Sequence, residues 1–307
     1  MAFPTILVPW HEPVAHLGEL PAGWRYATLS VDDDGPPADL DLADVTFYVP
    51  AYTFDPKVFE LIRELPSLVT VQVLTAGYEH VLPYLPEHVQ LANARGVHDA
   101  STAELSVALI LASQRELDRD ARAMTTSTWL TGPTRALADS TVLIVGAGSI
   151  GEALARRLTG FECDVVKVAS RARAGVHGID ELPTLLPTAD IVVLLVPLTT
   201  QTEGLLGATE FALCKPGALI VNVARGKVVD TDALVDACRS GRVRAAVDVT
   251  DPEPLPPDHP MWTTPGVLVS PHRGGASAAF LPRARALVAA QVARVVAGEE
   301  PEHLIPR

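Results

Sequence analysis

The segment Thr141-Val-Leu-Ile-Val145-Gly146-Ala-Gly148-Ser149-Ile150-Gly151 sets the class of the chain. Thr141 to Val145 is a short, branched, apolar run, which reads as a buried strand. Three glycines follow at G-x-G-x-x-G spacing, and a helix-forming stretch, Ile150 to Leu158, comes directly after. In that context the glycines carry mechanical meaning. Gly146 permits a tight turn, Gly148 lets backbone approach a pyrophosphate, and Gly151 lets helix close on strand. The helix start, with Ser149 and Ile150, offers unpaired N–H groups and the positive end of a dipole. A dinucleotide-binding fold is expected; a merely tight turn is the other reading.

Outward from this motif, apolar runs alternate with helical periods. Val142 to Val145, Val165 to Ala169, Ile191 to Val196, Ala218 to Val223, Ala245 to Val249 and Val267 to Ser270 make six strands of a doubly wound parallel sheet. Upstream, Thr5 to Pro9, Tyr26 to Val31, Val45 to Val49, Val69 to Leu74 and Val89 to Leu91 make a smaller open sheet, with a helix at Pro56 to Glu64. Ser101-Thr-Ala-Glu104 matches a capping box opening a helix that runs to about Arg119. Thr125 to Asp139 reads as a loop. Ala276 to Gly298 returns to helical spacing (Leu281, Leu287, Val288, Val292, Val295, Val296) and is expected to pack back on the first sheet. The class is α/β: a Rossmann domain of residues 99–274 inserted into a smaller flavodoxin-like α/β substrate domain, residues 1–98 plus 275–307. Two crossings would then form a hinged cleft.

At 307 residues the chain has room for two domains, and 48% hydrophobic against 20% charged residues gives ordinary globular composition. Its 24 Lys and Arg against 37 Asp and Glu leave a net charge of −13, which repels phosphate backbones and anionic membranes, so neither nucleic acid nor membrane is an expected partner. Cys163, Cys214 and Cys238 are odd in number, lack C-x-x-C spacing and read as reduced core thiols. With no secretory start and no spanning apolar stretch, a cytoplasmic protein is expected. The nine histidines show no metal-ligand spacing, and no metal is assigned.

Several residues at strand ends carry chemistry. The second strand of the glycine unit ends Ala169-Ser170-Arg171-Ala-Arg173, where an NAD site would place a carboxylate on the ribose. A hydroxyl and two guanidinium groups suit a 2′-phosphate instead, which favours NADP(H) and leaves NAD(H) possible; a solvated loop is the alternative. Arg225, in Asn222-Val-Ala-Arg225-Gly226, closes another strand and can clamp the carboxylate of a small 2-oxo acid while polarising its carbonyl, or else form a structural salt bridge. His272, in Ser270-Pro-His272-Arg-Gly274-Gly275, closes a third. Glu253, in Asp251-Pro-Glu253-Pro254, is the carboxylate that can orient that imidazole and favour its protonated form, making a proton donor.

Taken together these residues resemble the D-isomer-specific 2-hydroxyacid dehydrogenases, especially the glyoxylate/hydroxypyruvate reductase-like members. Lys215 to Gly226 resembles the family's arginine motif, Asp248 to Pro254 its glutamate motif and Ser270-Pro-His272 its histidine motif, in the family's order. The resemblance implies that Arg225 binds substrate, that Glu253 raises the basicity of His272, and that His272 passes a proton to or from the substrate oxygen. It also implies that Val73 to Tyr78 is the substrate loop, with the Ala76 and Gly77 amides on the substrate carboxylate. Pro197 and Thr202 would lie near the adenine, Val223 near the nicotinamide ribose and Asp248 near the nicotinamide amide, with Gly274 counted among the cofactor residues. The helix from Ser101 and the loop around Trp129 resemble the family's dimer contact, so a homodimer is expected. Two other readings stay open: a non-catalytic nucleotide-sensing protein on the same scaffold, and a formate- or phosphite-type dehydrogenase.

Overall fold

A computed structural model describes residues 3–53 and 55–306. The chain forms two compact units, one running to His98 and resuming at Ala278, the other spanning Asp99–Ser277.

The first unit holds five strands, β1 (Thr5–Val8), β2 (Arg25–Thr28), β3 (Val45–Tyr48), β4 (Thr70–Gln72) and β5 (Gln90–Ala92). All pair parallel in the order β2-β1-β3-β4-β5, the flavodoxin-like winding. Both faces are covered, which is why the strands read as apolar runs without alternation. The helix Phe280–Val296 lays Ala284, Val288 and Val292 against Ile6, Val8, Phe47 and Val49. Burying each valine stabilises this packing by roughly 1.5–3 kcal/mol. Phe59, Leu61, Ile62 and Leu65 cover Leu7, Val45, Tyr48 and Val71 on the other face. Leu281, part of the apolar period in sequence, faces solvent at 38% exposure. Buried Gln291 meets its polar needs by donating to Gln72 Oε1 and the Glu302 carbonyl, each at 2.8 Å, and by accepting from the Glu302 N–H. The last segment then lies along β5: Ala92 and Leu304 form an antiparallel bridge, and the Ile305 N–H donates to the Leu91 carbonyl at 2.8 Å.

The second unit holds seven strands, β6 (Thr141–Val145), β7 (Asp164–Ala169), β8 (His177–Gly178), β9 (Ile191–Leu194), β10 (Ala218–Asn222), β11 (Val243–Val247) and β12 (Val267–Val269). They pair parallel in the order β12-β11-β10-β9-β6-β7-β8, the doubly wound dinucleotide topology expected from the sequence. Leu143, Val145, Val192 and Ile220 fill the core on one face, and Val142, Ile144, Val193 and Val221 fill it on the other. Because every strand runs the same way, all their C-terminal ends reach one edge.

Several sequence expectations need correction. The helix begins at Asp99, two residues before the capping-box match, because the Ser101 hydroxyl pairs with Ser277 Oγ at 2.6 Å rather than capping, and Glu104 stands exposed. It ends at Gln114, not near Arg119. Gln114 is buried, donates to the Ala136 carbonyl and accepts from Arg244, while Glu116 turns left-handed at φ 54° before a second helix, Leu117–Met124. The helix expected at Pro56 to Glu64 is α-helical only over Lys57–Glu60 and tightens to a 3₁₀ turn over Leu61–Glu64. β8 went unseen because it is two residues long and has no apolar run to mark it.

Among the described residues no helix is long and apolar enough to cross a membrane. The three cysteines are unpaired. Burial pushes the Cys214 thiol up to about 11 and the Cys238 thiol up to about 12. Both should therefore alkylate with iodoacetamide at pH 8 more than about 100-fold more slowly in the native protein than in urea, where a thiol near 8.5 supplies ample thiolate. Peptide mapping of labelled cysteines checks this, and equal rates in the two states would refute it.

Candidate active site

The residues singled out in the second unit gather along the C-terminal edge of its sheet, each carried by the segment following a different strand. Gly146 follows β6 with φ 119°, and a Cβ there would lie 2.6 Å from the Leu195 carbonyl carbon. A Cβ on Gly151 would lie 2.2 Å from the Gly146 carbonyl oxygen. Neither position tolerates a side chain, so these two glycines set the turn and the closeness of helix to strand. Gly148 differs: its backbone is extended, and a Cβ would meet nothing within 4 Å. Its bareness serves approach from outside, not packing. The helix Ser149–Leu158 starts here, so the first-turn N–H groups gather beside an open glycine, an arrangement that fits the pyrophosphate of a dinucleotide. The Ser149 hydroxyl is turned to Asp99, donating at 3.0 Å.

Beyond β7, Ser170 and Arg171 are exposed. Arg173 is not simply solvated: its Nη2 donates to the Ala147 carbonyl at 2.8 Å, tying this loop to the glycine turn. After β9, the Thr202 hydroxyl donates to the Pro197 carbonyl at 2.6 Å and accepts from the Thr199 N–H, which fixes that loop. Val223 lies buried just past β10.

Arg225 follows β10 and is half-buried, with Nη1 on the Ala224 carbonyl at 2.7 Å. Buried Asn222 shapes the turn that carries it. Its Nδ2 donates to the Arg225 carbonyl at 2.9 Å and its Oδ1 accepts from the Ala224 N–H at 3.1 Å. Gly226 packs so tightly that a Cβ would sit 1.9 Å from the Thr250 carbonyl oxygen.

His272 follows β12 with φ 52°, a left-handed conformation unusual for a residue with a side chain. Its N–H donates to the Asp248 carbonyl at 2.7 Å, and its Nδ1 is hydrogen-bonded to Glu253 Oε1. Both side chains are about one-third exposed, so the pair contributes little to stability and instead orients the ring. Pairing Nδ1–H with a carboxylate puts Nε2 on the opposite side of the imidazole, the geometry that readies a histidine for proton transfer. The two side chains line a cavity of about 310 Å³ whose other walls include Leu255, Trp262, Val269 and Pro254.

Asp248 does more than its sequence assignment to a cofactor suggests. Its carboxylate, 3% exposed, accepts from the Ser270 hydroxyl at 2.6 Å and from the N–H groups of Arg273 and Gly274 at 2.7 Å each. Asn222, Asp248 and Ser270 thus position Arg225 and His272. The first and third escaped sequence reading, although both sit at strand ends beside a chemically active residue. Ala76 and Gly77 lie after β4 in the first unit, half-buried. Among the described residues no group of three or more His, Cys, Asp or Glu side chains is placed to hold a metal.

Comparison with known proteins places residues 107–274 on the family model described as the D-isomer specific 2-hydroxyacid dehydrogenase, NAD binding domain. The chain is 33% identical to a glyoxylate reductase of Thermofilum pendens over 80% of this chain and 77% of that one. It is 35% identical to glyoxylate/hydroxypyruvate reductase B of Escherichia fergusonii, over 71% of each. A D-isomer specific 2-hydroxyacid dehydrogenase from Xanthobacter autotrophicus, solved in complex with NADPH and MES, superposes with a TM-score of 0.80 at 28% identity, covering 98% of both chains.

Replacing Asp248 by alanine would leave one hydroxyl and two N–H groups of the 270–274 turn without their buried acceptor, at about 1–3 kcal/mol for each group that stays unsatisfied. Thermal unfolding should shift down by several degrees, on the usual scale of about 2–4 °C per kcal/mol. A midpoint unchanged within about 1 °C would show that the turn does not depend on this carboxylate.

Proposed function

The chain belongs to the D-isomer specific 2-hydroxyacid dehydrogenase family, and we propose that it works as a 2-oxoacid reductase preferring NADP(H) over NAD(H), with glyoxylate- or hydroxypyruvate-like substrates. The observation carrying the reading is the His272–Glu253 pair on the same sheet edge as the glycine turn.

In this mechanism the chemistry supplied by a nicotinamide coenzyme, when bound, would be hydride transfer to or from C2 of the substrate. Gly146, Gly148, Ser149, Ile150 and Gly151 would hold the pyrophosphate, Pro197 and Thr202 the adenine side, and Val223, Asp248 and Gly274 the nicotinamide side. Arg225 clamps the substrate carboxylate and polarises the adjacent carbonyl, and the Ala76 and Gly77 amides bind the same carboxylate. His272, as imidazolium, gives its Nε2 proton to the oxygen as C2 is reduced, and it regains a proton from solvent. Glu253 holds the ring through Nδ1, leaving Nε2 for the substrate oxygen. The product is a D-2-hydroxy acid, and the reverse direction uses His272 as base. Retention of Arg225, Glu253 and His272 together speaks against a purely nucleotide-sensing protein.

For the coenzyme, the argument is chemical: β7 ends without a carboxylate and with Ser170, Arg171 and Arg173, donors suited to a 2′-phosphate. The Xanthobacter relative was solved with NADPH, which agrees with this choice. A homodimer is part of the same reading. Leu117, Met124 and Trp129 leave 52%, 80% and 91% of their surfaces exposed along one segment, apolar surface that a second copy would cover. Three unpaired thiols suit a cytoplasmic location.

NADPH oxidation should be rapid with a member of the panel glyoxylate, hydroxypyruvate, pyruvate and phenylpyruvate, and NADP⁺ reduction by formate or phosphite should be absent. His272→Ala should lower that turnover by about 10²- to 10⁴-fold with coenzyme binding near normal. Unchanged turnover would remove His272 from the mechanism. Arg171→Ala should raise KM for NADPH at least about tenfold while moving KM for NADH less than about twofold. Arg173→Ala should weaken both coenzymes, since it also releases the Ala147 carbonyl. Equal effects of Arg171→Ala on the two coenzymes would sink the NADP(H) preference.

A further inference from the structure

The loop after β4 is held in large part through its carbonyl groups. Four consecutive carbonyls each accept a hydrogen bond: Leu74 from His98 Nε2 at 2.7 Å, Thr75 from the Ala94 N–H at 2.9 Å, Ala76 from Asn93 Nδ2 at 2.8 Å, and Gly77 from the Thr75 hydroxyl at 2.6 Å. In a trans peptide the carbonyl and the next N–H lie in one plane and point in opposite directions. With the Thr75 and Ala76 carbonyls both drawn to Asn93–Ala94, the N–H groups of Ala76 and Gly77 both face away from that segment. Neither N–H meets an acceptor among the described residues. Two adjacent, co-directed amides beside a glycine make a concavity that takes an anion.

One of the two orienting bonds is a strand-ladder contact that any sequence could make; the other depends on a single side chain. Asn93 is fixed at both ends. Its Nδ2 is on the Ala76 carbonyl, its Oδ1 accepts from the Arg95 N–H at 3.2 Å, and its own N–H donates to the His303 carbonyl at 3.2 Å. We propose that Asn93 is a positioning residue for the substrate carboxylate, holding the Ala76–Gly77 peptide so that the Gly77 N–H faces the ligand. This rests on the assignment of the Ala76 and Gly77 amides to that carboxylate. An aspartate at the same place cannot donate to the Ala76 carbonyl; it repels that oxygen and attracts the N–H, favouring the flipped peptide.

The first test is kinetic. Asn93→Ala should raise KM for glyoxylate about 10- to 100-fold, the worth of one hydrogen bond to a charged group, and Asn93→Asp should raise it further. KM for NADPH should move less than twofold in both, and kcat at saturating glyoxylate less than KM. A uniform fall in kcat with KM unchanged would overturn the positioning role. The second test does not need turnover: amide ¹H–¹⁵N spectra of the full chain titrated with oxalate. Ala76 and Gly77 should shift in the wild type and not in Asn93→Asp, whose unfolding midpoint should stay within a few degrees. Equal shifts in both proteins would overturn the role of Asn93. Glyoxylate turnover in the wild type without any shift at Ala76 and Gly77 would overturn the anion concavity while leaving the reductase reading intact. Shifts without turnover of any 2-oxo acid would overturn the reductase reading and leave the concavity standing. Thr75→Val and Thr75→Ser bracket the neighbouring tie: the serine should keep wild-type KM and the valine should raise it.

Discussion

Three strand ends in the second unit meet at Asp248. Its N–H donates to the carbonyl of Asn222, the last residue of β10, its carbonyl accepts the His272 N–H, and its carboxylate takes Ser270, Arg273 and Gly274 past β12. Arg225 and His272 thus hang from neighbouring turns joined by one buried acidic residue. A buried carboxylate is costly unless its oxygens are satisfied, and three donors satisfy this one. The same bonds hold His272 at a positive φ that its side chain would otherwise resist. The turns that carry the groups assigned to substrate binding and to proton transfer are thus tied together by backbone bonds through Asp248, and its satisfied carboxylate fixes the His272 turn.

The glycine turn shows the same economy in backbone form. Two of its glycines are required by neighbouring carbonyls less than 3 Å from any added carbon, while Gly148 is open. Arg173 then ties the turn to the loop after β7. Groups assigned to the pyrophosphate and to the 2′-phosphate are in this way parts of a single hydrogen-bonded piece.

Much of this was legible in the sequence. A strand, three spaced glycines and a helix gave the doubly wound sheet, and apolar runs gave all eleven longer strands to within a few residues. Arg225 and His272 stood out because they close apolar runs at strand ends, and Glu253 because it is the nearest carboxylate in sequence to His272 and is held between two prolines. What escaped has physical reasons. β8 carries no periodicity. The Ser101 capping box matched a pattern, but its hydroxyl found Ser277, 176 positions away, and only three dimensions reveal that pairing. Asn222, Asn93 and the structural duty of Asp248 are read from what their polar atoms touch, and residue type alone does not tell a buried amide that shapes a turn from one on the surface.

The pairing of residues 303–305 along β5 bears on solubility. β5 ends its sheet, and an uncovered parallel edge offers a row of backbone donors and acceptors to any other extended chain. Here the Ala92–Leu304 bridge and the Ile305 bond fill part of that row, so the strand next to the Asn93 support is guarded against recruitment into intermolecular sheets. Residues 303–305 thus cover backbone groups at the sheet border next to the loop that carries Ala76 and Gly77.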